Sequence, residues 1–172
     1  MEPDLPLPPD GLPPPPPPPD GPGPGVPEVV EGTRRSETLK GSKEVDFIFG
    51  EGGKDKIAGR GGDDTLIGGS GKDRIKGGAG NDTIIGGSGK DTLIGGGGDD
   101  IFVFDTAKGS DKIKSFQSSD VLHFLTFGDF SGIDENDIEI VHREKHDLVY
   151  VDGDLIVKVQ GDDVTMESIL LF

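Results

Sequence analysis

Acidic residues recur at every ninth position through the middle of the chain, and their carboxylates are the groups best placed to do chemistry. Eight nine-residue units follow one another without insertion over residues 32–103, each beginning with Gly. Their sixth positions are, in order, Glu37, Asp46, Asp55, Asp64, Asp73, Asp82, Asp91 and Asp100. An oxygen-only set of ligands without His or Cys suits Ca²⁺, whereas Mg²⁺ prefers a strict octahedron and retains its waters.

The other positions of each unit predict the backbone that holds the acid. Gly at the first, second and fourth positions permits positive φ and close approach, which makes a tight turn with inward carbonyls. The following residues, as in Asp82-Thr83-Ile84-Ile85, are β-branched and predict a short strand. Two units then complete one coil of a right-handed parallel β-roll, a β-helix of nonapeptide repeats with strands ~4.8 Å apart. Eight units predict four coils, an all-β roll roughly 20 Å long.

Stacking at eighteen residues brings alternate acids together at the two edges of the roll. Like charges so close are tolerable when a cation lies between them. The favoured pairs are Asp55/Asp73, Asp73/Asp91, Asp64/Asp82 and Asp82/Asp100, roughly four Ca²⁺ sites, with Asp46/Asp64 as a fifth that departs from the pattern. Carbonyls of glycines such as Gly59, Gly61, Gly68, Gly77 and Gly86 are expected to complete the coordination. The alternative is that these aspartates only form turns.

The units GGSGKDRIK, GGAGNDTII and GGSGKDTLI resemble the G-G-x-G-x-D-x-U-x nonapeptide of the RTX (repeats-in-toxin, haemolysin-type) calcium-binding β-roll. The tail also resembles the segment that follows such repeats, with DKIKSFQSSDVLHF and VKVQGDDVTMESILLF. The resemblance implies a calcium-binding C-terminal module that type I secretion machinery exports, and therefore a secreted, extracellular protein.

The first two units depart from this pattern. Ser42 and Glu44 replace glycines in the second unit, and Arg35 and Glu37 stand where Gly and Asp belong in the first. We expect these two units to cap the roll and to bind Ca²⁺ poorly or not at all.

Composition limits the possible partners. Glycine supplies 30 of 172 residues and hydrophobic residues only 31%, so a large conventional core is excluded. A formal charge of −16 favours cations and argues against nucleic acid or an anionic membrane. The absence of Cys excludes disulfides and Cys-ligated zinc. The sequence has no apolar run long enough for a membrane span, and its N-terminus has neither the basic region nor the apolar region of a signal peptide, so export by a cleaved signal is not expected.

Three segments are predicted. Residues 1–31 form a Pro-rich disordered arm or linker, since they hold all 14 prolines, and the arm is a spacer or a docking site for a Pro-recognising domain. Residues 32–103 form the nonapeptide-repeat roll. Residues 104–172 form a β-rich C-terminal cap and secretion region, with strands at DIEIV, LVYV and LIVKV and a hairpin turn at Asp152-Gly153.

The seventh and ninth positions give the two sheets different outer faces. One face is apolar and carries Phe47, Phe49, Thr65, Ile67, Thr83, Ile85, Ile101 and Val103. We expect part of residues 104–172 to cover it; the alternative is a flat binding surface for a partner or for ice. The other carries Lys40, Lys56, Arg74 and Lys76. Its cations are expected to be solvated, and the alternative is a site for an anionic polysaccharide or a cell surface.

No catalytic motif is recognisable, so the chain is expected not to be an enzyme. The stretch from His142 to His146 fits neither H-E-x-x-H nor H-x-x-E-H and is predicted as a polar loop between strands. The predicted function is calcium binding that drives folding after export. Alternatives are the C-terminal domain of a secreted protease, lipase or epimerase, and an adhesion or glycan-binding surface module.

Overall fold

The protein consists of two β-sheets, and through the repeats the chain contributes strands to them alternately. The computed structural model describes residues 26–104, 109–125 and 137–171. Within these ranges the strands are β1 Glu28–Glu31, β2 Thr38–Lys40, β3 Asp46–Phe49, β4 Gly52–Gly53, β5 Lys56–Ala58, β6 Thr65–Gly71, β7 Arg74–Ala79, β8 Thr83–Gly89, β9 Thr92–Gly97, β10 Ile101–Phe104, β11 Asp111–Phe116, β12 Val121–Phe124, β13 Ile138–Arg143, β14 His146–Val151, β15 Asp154–Gly161 and β16 Ile169–Leu171. A short 3₁₀ helix spans Met166–Ser168. None of the described helices has the length and apolar character needed to cross a membrane.

The strand order is that of a parallel β-solenoid. The first sheet runs β1-β3-β6-β8-β10-β12-β16, with β4 beside β6, and the second runs β13-β14-β15-β11-β9-β7-β5-β2. Neighbouring strands of the repeats are parallel and offset by eighteen residues, as in the pairing of Phe47 with Thr65 and of Thr65 with Thr83. The predicted all-β parallel roll is therefore confirmed.

The core is a column of eighth-position side chains. Ile48, Leu66 and Ile84 stack in the first sheet and Ile57, Ile75 and Leu93 in the second, all at most 2% exposed. Because side chains alternate along a strand, the seventh and ninth positions point outward. The fourth-position glycines let the turns stack closely. Gly71 has φ +138°, and a Cβ there would collide with the carbonyl oxygen of Gly53 one turn away.

The C-terminal tail continues both sheets and caps this end of the solenoid. Strands β12 and β16 extend the first sheet, and β11 and β15 extend the second. Their inward side chains are buried, and Phe102 contacts Phe116 while Phe104 stacks on Phe124. Strands β13 to β15 pair antiparallel, and both turn residues between β14 and β15, Asp152 and Gly153, have positive φ, as the predicted two-residue hairpin requires.

Three details differ from the expectations. The solenoid is longer than four coils, because β1 and the tail strands add turns. Residues 28–31, assigned to the Pro-rich arm, form β1, whereas residues 1–25 of that arm lie outside the described residues. The described tail strands do not lie across the apolar outer face, where Phe47 remains 39% exposed. They carry their own inward apolar residues, such as Ile113 and Leu122, and so extend the sheets edge to edge.

Candidate metal centre

Two rows of aspartates run along the edges of the solenoid. In the first row, the backbone N–H of Asp46 donates to Oδ1 of Asp64 (2.8 Å), and Asp64 donates in the same way to Asp82 (3.0 Å). The row continues from Asp82 to Asp100 (3.0 Å). The second row repeats this geometry from Asp55 to Asp73 (2.8 Å) and from Asp73 to Asp91 (2.7 Å). Each carboxylate is thereby held against the neighbouring turn by one of its two oxygens.

The other oxygen of most of these carboxylates has no hydrogen-bond partner among the described residues. The unpartnered Oδ2 atoms belong to Asp55, Asp64, Asp73, Asp82, Asp91 and Asp100, all of which are at most 2% exposed. A buried anionic oxygen without a donor is costly, and such atoms are rare in folded proteins. Six equivalent vacant acceptors in two rows fit a hard divalent cation that takes oxygen ligands.

In most units a backbone carbonyl from the next turn reaches the same place, beside the first glycine of the unit. A methyl group at Gly68 would lie 2.7 Å from Oδ2 of Asp73 and 2.6 Å from the carbonyl oxygen of Gly86. At Gly50 the corresponding distances are 3.0 Å to Oδ2 of Asp55 and 2.5 Å to the carbonyl oxygen of Gly68. The missing Cβ therefore leaves room in which a carboxylate oxygen and a carbonyl oxygen from the next turn converge.

The same arrangement recurs along the first row, whereas the predicted glycines Gly86 and Gly61 differ: the nearest atoms to a Cβ at Gly86 belong to the carboxylates of Asp91 and Asp111. Asp64 and the carbonyl of Gly77 meet at Gly59, and Asp82 and the carbonyl of Gly95 meet at Gly77. Gly61 differs, because its nearest neighbours are backbone atoms of Ala79 and Lys43 at 3.7–3.8 Å, with no carboxylate among them.

Burial raises the pKa values of these carboxyl groups. Desolvation raises the pKa of Asp64 to about 6 and the pKa values of Asp82 and Asp91 to about 7, against an ordinary value of 3.8. The backbone N–H bond to each carboxylate opposes this rise, and neighbouring carboxylates in the row add to it. Burial likewise raises the pKa values of Asp73 and Asp100. A bound cation would stabilise the charged form that burial disfavours.

Comparison with known proteins identifies the repeats. The family model described as the RTX calcium-binding nonapeptide repeat, four copies, matches residues 31–66 and 67–102. The chain contains RTX calcium-binding repeats. The resemblance seen in the nonapeptide motif is thus confirmed, and no curated protein matches the chain significantly.

The chain is similar to solved structures. The AlgE6R3 subunit of the mannuronan C5-epimerase from Azotobacter vinelandii is 23% identical, with a TM-score of 0.51, and the match covers 81% of this chain and 80% of that one. The extracellular lipase LipA from Serratia marcescens is 18% identical, with a TM-score of 0.41, over 86% of this chain. This chain spans 40% of the lipase. The epimerase subunit supports the RTX solenoid fold.

The first two RTX units differ from the later ones in how their acids are satisfied. The N–H of Ser42 donates to Oδ2 of Asp46 (2.6 Å), and the N–H of Thr33 donates to Oε2 of Glu37 (2.5 Å). Asp46 also accepts a hydrogen bond from the Ser42 hydroxyl (3.2 Å). Because these oxygens already have donors, the structure gives a physical basis for the prediction that the two units bind Ca²⁺ poorly or not at all.

Two further aspartates continue the rows beyond the matched repeats, and the nine-residue pattern missed them. The N–H of Asp91 donates to Oδ1 of Asp111 (2.9 Å), and the N–H of Asp100 donates to Oδ1 of Asp120 (3.1 Å). Both pairs are separated by twenty residues rather than eighteen. A search for an Asp two residues before a buried aliphatic residue, without the glycines, would have found Asp111 before Ile113 and Asp120 before Leu122.

A separate polar group lies in the tail. His142 on β13 and Asp147 on β14 are cross-strand neighbours, and their Nδ1 and Oδ1 atoms are 3.0 Å apart. Asp163 brings a third potential ligand atom within 4.8 Å of both. The second oxygen of Asp147 accepts the N–H of Val164 (2.8 Å), so both of its oxygens have partners. His142 and His146 lie on adjacent strands of a hairpin, which agrees with rejecting a helical zinc motif.

Proposed function

We propose that this chain is an extracellular module that folds when its RTX repeats bind calcium, after export through type I secretion machinery. The observation that supports this proposal is the set of buried Oδ2 atoms in the two rows, which have no donor among the described residues. Asp55, Asp64, Asp73, Asp82, Asp91 and Asp100 are its proposed ligands, with glycine carbonyls completing roughly four to five sites.

The energetic argument follows from linkage between binding and folding. A chain of formal charge −16 must bury a row of carboxylates at each edge in order to close the solenoid. Bound calcium supplies the positive charge that offsets this burial, so its binding free energy becomes folding free energy. Affinities of ~10⁻⁴–10⁻³ M, typical of extracellular calcium modules, would leave the chain unfolded and threadable in the cytosol and folded outside.

A calcium titration of the full chain, followed by far-UV circular dichroism, tests this function. Calcium is expected to produce a coil-to-β transition that chelator reverses and that Mg²⁺ does not reproduce. Asp73→Ala combined with Asp82→Ala should abolish the transition at the calcium level that folds the unmodified chain. A chain already folded in chelator and indifferent to calcium would contradict the proposal.

A second candidate function rests on the outer face of the second sheet. Cations align there across neighbouring strands, with Lys56 beside Arg74 and Lys112 beside Lys158. We call this surface the basic stripe; it consists of Lys40, Lys56, Arg74, Lys76, Lys112, Lys114 and Lys158. Within the described residues none of these cations forms an ion pair. Uncharged Thr92 and Ile94 of β9 separate Arg74 and Lys76 from Lys112 and Lys114. A linear polyanion such as an acidic polysaccharide would match the two groups of cations on strands ~4.8 Å apart.

Binding of a polyuronate, measured against neutral dextran in calcium, tests the basic stripe. Lys56→Gln combined with Arg74→Gln should weaken polyuronate binding, and added salt should weaken it further. Lys72→Gln combined with Lys90→Gln removes two exposed cations outside the stripe and is the matched control. Equal loss in both double variants would refute the stripe. That the chain is the C-terminal domain of a secreted enzyme stays a prediction, supported by the fold it shares with the epimerase subunit.

A further inference from the structure

The C-terminal tail brings three metal-ligating side chains together, away from both rows of aspartates. They are His142 on β13, Asp147 on β14, and Asp163 in the segment between β15 and the 3₁₀ helix. Nδ1 of His142 lies 3.0 Å from Oδ1 of Asp147, and one potential ligand atom from each of the three residues lies within 4.8 Å of the others. Side chains from three separate stretches of the chain thus converge on one point.

The backbone fixes the central carboxylate of this group. Asp147 is 3% exposed, and its Oδ2 accepts the backbone N–H of Val164 at 2.8 Å. That bond leaves Oδ1 facing His142, and it also positions the residue before Val164, which is Asp163. Ligating carboxylates are commonly held by a hydrogen bond of this kind from outside the metal's own ligands. The His142 side chain is 59% exposed and Asp163 is exposed, so an ion can enter from solvent.

The neighbouring basic side chains point away from this group. Arg143 and His146 form the next cross-strand pair after His142 and Asp147. Because side chains alternate along a strand, this next pair lies on the opposite face of the sheet, where Lys158 acts on His146. The face that carries His142 and Asp147 therefore presents carboxylates and an imidazole to an ion, with the cations of the strand pair on the other side.

We propose that His142, Asp147 and Asp163 form a site for a divalent transition-metal ion, taking Zn²⁺, that is separate from the calcium rows. Zinc binds imidazole nitrogen and carboxylate oxygen together, with water able to complete four ligands, whereas calcium takes oxygen ligands. Two ligands of a tetrahedral zinc ion, each at ~2.1 Å, lie about 3.4 Å apart, so Nδ1 and Oδ1 need to separate only slightly. The ion takes the place of the proton that His142 and Asp147 share, and that proton is released to solvent.

An ion at this point would cross-link the tail. Strands β13 and β14 are the outermost strands of the second sheet and connect to the repeats through β15 and β11. Zinc would join both strands of this hairpin to the segment that leads from β15 to β16, through Asp163. The tail would then be stabilised by a metal that the repeats do not use.

Isothermal titration calorimetry of the full chain with Zn²⁺, in a large excess of calcium that competes for the aspartate rows, tests the site. The unmodified chain should bind a single Zn²⁺ ion, and His142→Ala and Asp163→Asn should each weaken binding roughly tenfold or more. His146→Ala and Asp162→Asn are the matched controls and should keep the unmodified affinity, because His146 faces the other side and Oδ2 of Asp162 accepts the N–H of Ser118 (2.9 Å). Unchanged affinity in His142→Ala, or equal losses in the controls, would overturn the proposal.

Nitrogen NMR of the histidine rings gives a second readout that needs no substitution. The chain has three histidines, and Zn²⁺ should shift the ring nitrogen resonances of His142, most of all Nδ1, while those of His146 stay unchanged. A hydrogen bond between His142 and Asp147 with no metal role predicts no response to zinc. Absence of the His142 shift at saturating Zn²⁺ would overturn the site, whatever affinity the variants show.

Discussion

Replacing Asp82 by Asn separates the ligand role of this residue from its structural role. The amide keeps the volume of the carboxylate and an oxygen that can accept the Asp64 N–H, a bond of 3.0 Å. It removes the charge from the buried Oδ2 atom, which has no donor among the described residues. Asp82 stands between Asp64 and Asp100 in the first row, so the substitution affects two of the proposed calcium sites.

The expected loss of stability in calcium follows from mass action. A site with a Kd of ~10⁻⁴–10⁻³ M contributes about 1.4–2.7 kcal/mol to the free energy of unfolding at roughly 10 mM free calcium. Loss of two sites should therefore cost about 3–5 kcal/mol. In chelator the sign reverses, since burial raises the pKa of Asp82 to about 7 and Asn removes a charge that burial disfavours.

Urea unfolding followed by far-UV circular dichroism in calcium measures the loss of stability, and the β-sheet signal in chelator, where the unmodified chain is expected to be unfolded, measures the opposite effect. The free calcium at which half of the chains are folded is a second readout, and it should rise in the variant. Asp99→Asn is the matched control, because Asp99 is exposed, adjacent to the row and loses the same charge. Unchanged urea unfolding of Asp82→Asn in calcium would refute the ligand role, as would an equal effect of Asp99→Asn.

Three further predictions concern pH, the core and the turns. Because the folded chain holds the pKa values of Asp82 and Asp91 at about 7, above the unfolded value, the metal-free fold should be most stable below about pH 4 and lose stability as the pH rises through 7. Far-UV circular dichroism in chelator as the pH is lowered from 8 to 4 checks this, because the β-sheet signal should grow, and a stronger β-sheet signal at pH 8 than at pH 5 would contradict it. Ile75→Ala, at a fully buried position, should cost about 2–5 kcal/mol in urea unfolding in calcium, and a loss below 1 kcal/mol would show that the column is not tightly packed. Gly71→Ala should lower the melting temperature sharply because its φ is +138° and the methyl group meets the Gly53 carbonyl, whereas Gly97→Ala, in open space, should not; similar melting temperatures for the two would contradict the turn geometry.

The sequence predicted the repeat turns well because their period has no insertion. Once the period is known, stacking at eighteen residues fixes which acids meet, and the structure places Asp64 beside Asp82 as expected. The pattern could not show which carboxylate oxygens are satisfied. That depends on single donors such as the Ser42 N–H, whose position follows from the exact path of the turn.

The tail was harder to predict because its physical determinants are not periodic. Asp111 and Asp120 stand twenty residues beyond their partners, and no glycine pattern marks them. The described tail strands extend the sheets and do not cover the apolar outer face, and residues 126–136 of the predicted cap lie outside the described residues. Apolar residues of the tail such as Leu122 alternate with outward residues along β12. They therefore point into the core column, where Leu122 pairs with Phe102.

The repeats and the tail close the same solenoid by different means. A repeat turn orders eighteen residues, and many of them are glycines, which lose more conformational freedom on folding than any other residue. In return, the turn buries one large apolar side chain on each sheet. It also buries carboxylates whose second oxygen lacks a donor. The tail buries larger rings such as Phe116 and Phe124, and Asp120 obtains its donor from Gln117. We therefore expect dependence on a cation to be concentrated in the repeats, where hydrophobic burial is least able to offset the entropy of ordering the chain.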